Sequence, residues 1–287
     1  MQTFRGGPQM IRLEDVWHSY DGITYVLRGV SLEVGAGELV CIMGSNGSGK
    51  TTLVRIMGGL LKPTKGKAVI DNVDAYQYVK EGGSPKVGVV FHNPNHQIFS
   101  ETVEKEIIFS LKAVGVGLRE AEKRMKETLR RLGIEDLRIR NPLTLSEGEK
   151  RLVTLATMMA INPEIIIMDE PTAGQDWLNK RVINEVIKEM ISVGRSIIIV
   201  THDVEFCAEL DARVIILHDG RIIIDGEAGK VLSNFEVLEK AGLRPPIVAE
   251  LISRLMVKGT KWEYLPVKVD DAVSLILGKG VKLAENV

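Results

Sequence analysis

One stretch narrows the possible folds more than any other. Leu39-Val40-Cys41-Ile42-Met43 is an unbroken apolar run of strand length. Gly44-Ser45-Asn46-Gly47-Ser48-Gly49-Lys50-Thr51-Thr52 follows at once, and a helix-compatible segment continues from Thr51 to Leu60. The loop fits the pattern G-x-x-x-x-G-K-[ST], and strand, glycine loop and helix in this order are the context the pattern requires. Glycines let the backbone turn and bring several N–H groups onto phosphate oxygens. The new helix points its positive end at the same anion. Lys50 is then expected to reach the β- and γ-phosphates of a nucleotide, with the Thr51 hydroxyl on Mg²⁺. A glycine-rich turn that binds nothing would leave this agreement of residue types, spacing and flanks unexplained.

Composition limits what surrounds this loop. The 287 residues, 45% hydrophobic and 26% charged, suffice for one large domain plus an appendage. A net charge of −1 provides no basic field, so no nucleic-acid partner is expected. Cys41 and Cys207 lie in apolar surroundings without metal or disulfide spacing, which suits a reducing cytosol. The first ten residues, MQTFRGGPQM, hold no apolar signal core. No run approaches the ~20 apolar residues that cross a bilayer. A membrane role is therefore expected to go through a partner.

Along the chain, residues 10 to 34 read as two strands around Ser19-Tyr20-Asp21-Gly22. Tyr20, upstream of the glycine loop, either stacks on a purine face or packs on the sheet. Ala68–Asp71 and Lys86–Phe91 read as strands, after which helical spacing takes over from His92 to Ile161. Met125, Leu129 and Leu132 recur at spacings of four and three, with Gly133 as C-cap. Leu145-Ser146-Glu147-Gly148-Glu149-Lys150-Arg151 then opens a second helix. Ser146 and Glu149 make a capping box, and the same helix start is an anion site. Ile165-Ile166-Ile167-Met168 is a buried strand ending in Asp169-Glu170, where an open parallel sheet binds its ligands. Asp169 there is placed to hold Mg²⁺ through water, and Glu170 is the candidate general base for the attacking water. Leu178, Val182, Ile183, Val186, Ile187 and Met190 line one side of a helix. Ser196–Val200 is a further strand, leading to His202, a candidate γ-phosphate sensor. Arg213–Leu217 and Arg221–Asp225 flank the Asp219-Gly220 turn of a hairpin. Beyond Pro245-Pro246, the residues Ile247, Val248, Leu251, Ile252, Leu255 and Met256 form a broad apolar stripe. A short helix is expected from Asp270 to Leu277, ended by Gly278. The stripe is expected on the main domain or on another copy.

Taken together, these motifs resemble an ABC-transporter ATPase from residue 10 to about 235. The signature-like Leu145-Ser146-Glu147-Gly148-Glu149 decides it, since the phosphate loop alone fits many NTPases. Val89-Val90-Phe91-His92-Asn93-Pro94-Asn95-His96-Gln97-Ile98-Phe99 and the helical tail are similar to the ATPases of energy-coupling-factor importers of metal ions or vitamins. The resemblance implies an α/β P-loop NTPase fold with a mixed sheet core, an antiparallel β subdomain, a helical subdomain near 92–162 and a small C-terminal helical extension. The ATPase domain would span 1–235 and the extension, a possible dimerisation element, 236–287. ATP and Mg²⁺ would be bound by Tyr20, Gly44, Ser45, Asn46, Gly47, Ser48, Gly49, Lys50, Thr51 and Thr52, with Thr51 and Asp169 on the metal. Ser146 and Gly148 would grip the γ-phosphate held by a second ATPase subunit, in a homo- or heterodimer. Glu170, His202 and His92 would serve hydrolysis, and Asp176 would be the D-loop aspartate. Integral membrane subunits would dock near His92–Ser110, on Ile98, Phe99, Ile107, Ile108 and Phe109, at the cytoplasmic face of the cell membrane.

The chain departs from the family pattern in three places. His92 stands where a glutamine is expected. Glu147 replaces the usual glycine, with Glu149 where glutamine is frequent, and Gln175 replaces a leucine. The first bears on γ-phosphate and Mg²⁺ sensing. The second adds negative charge near a partner's nucleotide. Two rival readings are a soluble ABC ATPase acting on ribosomes or nucleic acid and a P-loop kinase. A single cassette without basic arm or coiled-coil insertion speaks against the first, and the signature segment and Glu170 against the second.

Overall fold

The apolar runs become two sheets. The computed structural model describes residues 9–81, 86–255 and 265–277. β1 (Gln9–Ser19) and β2 (Tyr25–Gly35) pair antiparallel around the expected turn. β3 (Leu39–Met43) leaves them for the second sheet, while β4 (Lys65–Ile70) and β5 (Val73–Asp74) return to complete the order β2-β1-β4-β5. β6 (Val87–Val90), β7 (Ile165–Asp169), β8 (Ser196–Thr201), β9 (Arg213–His218) and β10 (Arg221–Glu227) join β3 in the order β10-β9-β3-β8-β7-β6. The run from β9 to β6 is parallel, and β10 closes the edge as the antiparallel arm of the hairpin. β7 and β8 are buried on both faces, which is why they read as continuous apolar runs without alternation.

Helices cover both faces. α1 (Lys50–Met57) and α2 (Ala75–Lys80) precede β6. α3 (Val103–Ala113), α4 (Leu118–Arg131) and α5 (Glu147–Ile161) lie between β6 and β7, as the helical spacing required. α6 (Trp177–Ser192) joins β7 to β8, and α7 (Val204–Ala208) leads to β9. α8 (Ala228–Leu232), α9 (Phe235–Lys240), α10 (Ile247–Leu255) and α11 (Val269–Ile276) follow β10. Alternate strand residues divide the interior. Val40, Ile42, Ile165, Ile167, Ile198 and Val200 face α1 and the antiparallel sheet. Cys41, Met43, Ile166, Met168, Ile197 and Ile199 face α3–α6. Each such buried aliphatic side chain contributes about 1.5–3 kcal/mol. Cys41 and Cys207 are free thiols in the second interior, and burial pushes the Cys207 thiol well up.

Three side-chain placements differ from the sequence reading. On α6, Ile183, Val186, Ile187 and Met190 are buried, but Leu178 sits on the exposed first turn. Near α3, Ile98 and Ile107 belong to the interior. Only Phe99 and Phe109 of the expected docking residues are exposed, and they meet edge-to-face at 5.1 Å. A helical period explains this, because residues of one run face opposite sides of α3. In the tail, α10 turns Ala249 and Ile252 inward and leaves Ile247, Leu251 and Leu255 exposed. Ala249 and Val267 pack in the main interior, and the Ile247 N–H donates to Glu205 Oε1 at 2.8 Å. α10 and Val267 thus rest on the same interior that Leu238 and Leu243 enter just before them. Met256 and Gly278 lie outside the described residues.

Candidate active site

Parallel register gathers the site. Met43 pairs with Thr201, Asp169 with Val200, and Val90 with Met168. The segments that leave these strand ends therefore emerge from one edge: the loop starting at Gly44, then Glu170, His202 and His92. None is near another in sequence except Asp169 and Glu170; the sheet alone aligns them.

The glycine loop is shaped as the chemistry required. Gly47 (φ +83°) and Gly49 (φ +104°) take the left-handed conformation that a side chain rarely adopts. A Cβ on Gly44 would fall 2.2 Å from the Leu217 carbonyl oxygen and 2.7 Å from Ser48 Oγ. Lys50 folds back across the loop, its ammonium donating to the carbonyls of Gly44 (2.7 Å) and Ser45 (3.0 Å). Burial lowers the Lys50 pKa, against the pull of Glu170 and Asp169. Ser48 Oγ is buried, without a partner among the described residues. A partly desolvated cation, an orphaned hydroxyl and a cradle too tight for a Cβ together fit a phosphate chain. Thr51 Oγ1 donates to Asp169 Oδ2 at 3.3 Å. Burial and the neighbouring Glu170 push the Asp169 pKa up, and His92, Thr51 and Lys50 oppose them. This hydroxyl and carboxylate are the hard oxygen donors that Mg²⁺ prefers, so the residues fit the metal as well.

Glu170 is the most constrained residue of the edge. It is non-glycine at φ +55°, and its N–H donates to the Val200 carbonyl at 2.7 Å. Such a conformation costs about 1–3 kcal/mol and persists where its surroundings enforce it. Its carboxylate is buried: Oε2 accepts from the Thr201 hydroxyl at 2.7 Å, and Oε1 from the His202 N–H at 3.1 Å. His202 Nδ1 lies 2.7 Å from the same Oε1, and the rest of that ring is exposed. His92 has an exposed side chain, and its carbonyl accepts from Arg151 Nη2 at 2.7 Å. The other Arg151 arm reaches the Ala173 carbonyl. Gln97 pins the same loop, accepting from the Phe91 N–H at 2.9 Å and donating to the Val89 carbonyl at 2.6 Å.

Tyr20 stands at the rim, 57% exposed, its hydroxyl 3.1 Å from Thr52 Oγ1 and its ring edge-on to His18 at 4.7 Å. It neither packs away on the sheet nor floats free. Ser146 and Glu149 form the expected capping box, with Ser146 Oγ donating to Glu149 Oε2 at 2.8 Å and accepting from the Glu149 N–H at 3.3 Å. Asp176 caps α6 through the Asn179 N–H at 2.8 Å. Among the described residues, no hydrogen bond joins Ser146 or Gly148 to residues 44–52. Sequence reasoning missed Thr201, Gln97 and Arg151. Thr201, beside His202 at a strand end, was the detectable one; the others are ordinary polar residues until the fold brings them to a backbone.

Comparison with known proteins gives the family. The ABC transporter family model matches residues 27–173. The energy-coupling factor transporter ATP-binding protein EcfA of Methanocaldococcus jannaschii is 37% identical over 249 residues, 86% of this chain and 89% of that protein. The structure of cbiO1 from Clostridium perfringens, part of the ABC transporter complex cbiONQ, matches with a TM-score of 0.69 at 31% identity, covering 86% of this chain and 99% of that one. A dimeric post-hydrolysis structure of the ATP-binding cassette MJ0796, bound to ADP and Pi, matches with a TM-score of 0.70 at 30% identity, covering 76% and 99%. With the phosphate loop, the acidic strand end and the mixed sheet in place, the chain belongs to the ABC transporter family, as one of its ATP-binding and ATP-hydrolysing proteins.

Proposed function

We propose that this ATPase powers an energy-coupling-factor-type importer of metal ions or vitamins, working as a peripheral subunit on the cytoplasmic face of the membrane. The observation that carries the chemistry is the buried Glu170 carboxylate beside Asp169, on the edge that also carries the glycine loop. In this reading Lys50 gives up the Gly44 and Ser45 carbonyls for the β- and γ-phosphates of ATP, and the N–H groups of residues 44–52 complete the cradle. Tyr20 stacks on the adenine. Thr51 and Asp169 hold Mg²⁺, which when bound offsets the charge of the phosphates. Glu170 takes the proton of the attacking water, while Thr201 and the His202 N–H keep the carboxylate oriented. His202 and His92 flank the γ-phosphate. Two subunits meet head to tail, so that Ser146 and the Gly148 N–H of one grip the γ-phosphate on the other. The dimeric relative with ADP and Pi supports this.

Residues 1–235 form the ATPase domain and 236–287 the extension. Among the described residues no helix is long and apolar enough to cross a membrane, so transport requires integral membrane subunits. The exposed Phe99–Phe109 pair is the docking surface for them. The relatives named EcfA and cbiO1 favour this over a ribosome- or DNA-directed ATPase. The test joins purification from membranes with product analysis. Retention with polytopic membrane proteins and release of free phosphate are expected, the latter lost in Lys50→Ala. Retention on ribosomes or DNA, or a phosphorylated acceptor, contradicts the proposal.

A further inference from the structure

The carboxylate at the start of α5 needs an explanation. A negative side chain in a helix's first turn interacts with the same positive end that an anion would use. Glu147 is such a residue, at a position where the family pattern has glycine, and its side chain is 60% exposed. Its charge is nevertheless answered within the chain. Glu147 Oε1 accepts from Lys150 Nζ at 3.1 Å and from Asn95 Nδ2 at 3.3 Å. The Lys150 side chain is only 10% exposed, so the ammonium is tucked against the helix. These two donors hold the Glu147 carboxyl below the usual carboxylate range. Asn95 is itself fixed, because its N–H and Nδ2 both reach Asn93 Oδ1 at 3.0 Å, in the loop that carries His92. On the other flank, Gln175 Nε2 donates to the Gly148 carbonyl at 2.9 Å. The departures at 147 and 175 thus each supply a bond that glycine or leucine lacks.

We propose that Glu147 is a positioning residue whose charge Lys150 cancels. With Asn95 it ties the start of α5 to the loop after β6, and Lys150 leaves the helix's positive end available to the nucleotide on the partner copy. The inference rests on the head-to-tail reading above. It makes Lys150 necessary because of Glu147, and dispensable once Glu147 is neutral.

The test is ATP-driven dimerisation of the full chain in a Glu170→Gln background, measured by sedimentation over a protein dilution series with ATP and Mg²⁺. Lys150→Met should weaken the dimer roughly three- to tenfold, the size of one charge acting on a helix end. The loss should shrink at high salt, as screening requires. Lys150→Arg should match the parent, and Lys150→Met with Glu147→Gln should restore it. A double variant as weak as Lys150→Met would show that the lysine acts through packing, and would overturn the inference. So would a parent-like Lys150→Met. A parent that stays monomeric with ATP sinks the head-to-tail reading and this inference together, whereas a dimerising parent with an unaffected Lys150→Met sinks the inference alone.

Discussion

Asp169 is held in conflict: burial and Glu170 disfavour its charge, while the function assigned to it requires that charge. A carboxyl whose pKa is raised by folding adds stability below its ordinary value of ~3.9 and loses that contribution as pH rises past the raised value. Asp169→Asn should therefore melt higher than wild type at neutral pH without nucleotide, with the advantage vanishing towards pH ~3.9, and should lose ATP turnover. Thermal melts across pH check this, and a variant less stable at neutral pH contradicts it. His92 gives a second expectation. Its carbonyl is the structurally committed group, through Arg151, and its side chain is exposed. His92→Gln should keep or raise ATPase activity, and His92→Ala should uncouple hydrolysis from transport more than it slows hydrolysis. A His92→Gln protein as inactive as Glu170→Gln would show that the imidazole is needed for chemistry. That Gly44, Lys50, Thr51, Asp169 and Glu170 lie at strand ends of one edge was legible in the sequence, because the loop pattern and the apolar runs before them fix their places. The left-handed backbone of Glu170 and its grip by Thr201 were not, since both depend on β8 lying alongside.

Elements were legible where one local signal dominated. The buried strands β7 and β8, the capping box of α5 and the Asp219-Gly220 hairpin all follow from local pattern and turn chemistry. Side-chain facing was less legible when a helix is apolar on more than one side. Ile107 and Phe109 are two residues apart on α3, yet one is core and the other surface. The loop between β6 and α3 was the least legible, because its order comes from side chains bonding to backbone. Gln97 bridges the Val89 carbonyl and the Phe91 N–H, so it fixes the path on which His92 sits. Gln97→Ala should cost about 1–3 kcal/mol, the penalty for leaving such groups unpaired. It should also lower transport per ATP, because the loop that would link the site to the proposed docking surface is loosened. Denaturant unfolding measures the first effect; an unchanged midpoint and slope would show that the bridge is idle.

At the scale of the whole molecule, the parallel register is what makes a site out of four distant segments, and the extension is what the register does not need. Ala249 and Val267 join the main interior, whereas Ile247, Leu251 and Leu255 remain exposed. Deleting residues 244–287 should leave a folded protein that binds ATP but self-associates less without nucleotide. Sedimentation of both forms decides, and a truncated chain that fails to fold would show that the main interior cannot close without Ala249 and Val267. The stripe was visible in the sequence; its split between an inward rim and an exposed face was not, because that division depends on where the main interior and Glu205 of α7 lie. The central claim is that Glu170 activates water on a nucleotide held by the glycine loop. Its most direct test is ATP binding and steady-state hydrolysis by Glu170→Gln beside wild type. ATP affinity should be retained while turnover falls by about 10²–10⁴-fold, the usual worth of a general base. Hydrolysis at the wild-type rate would contradict the assignment.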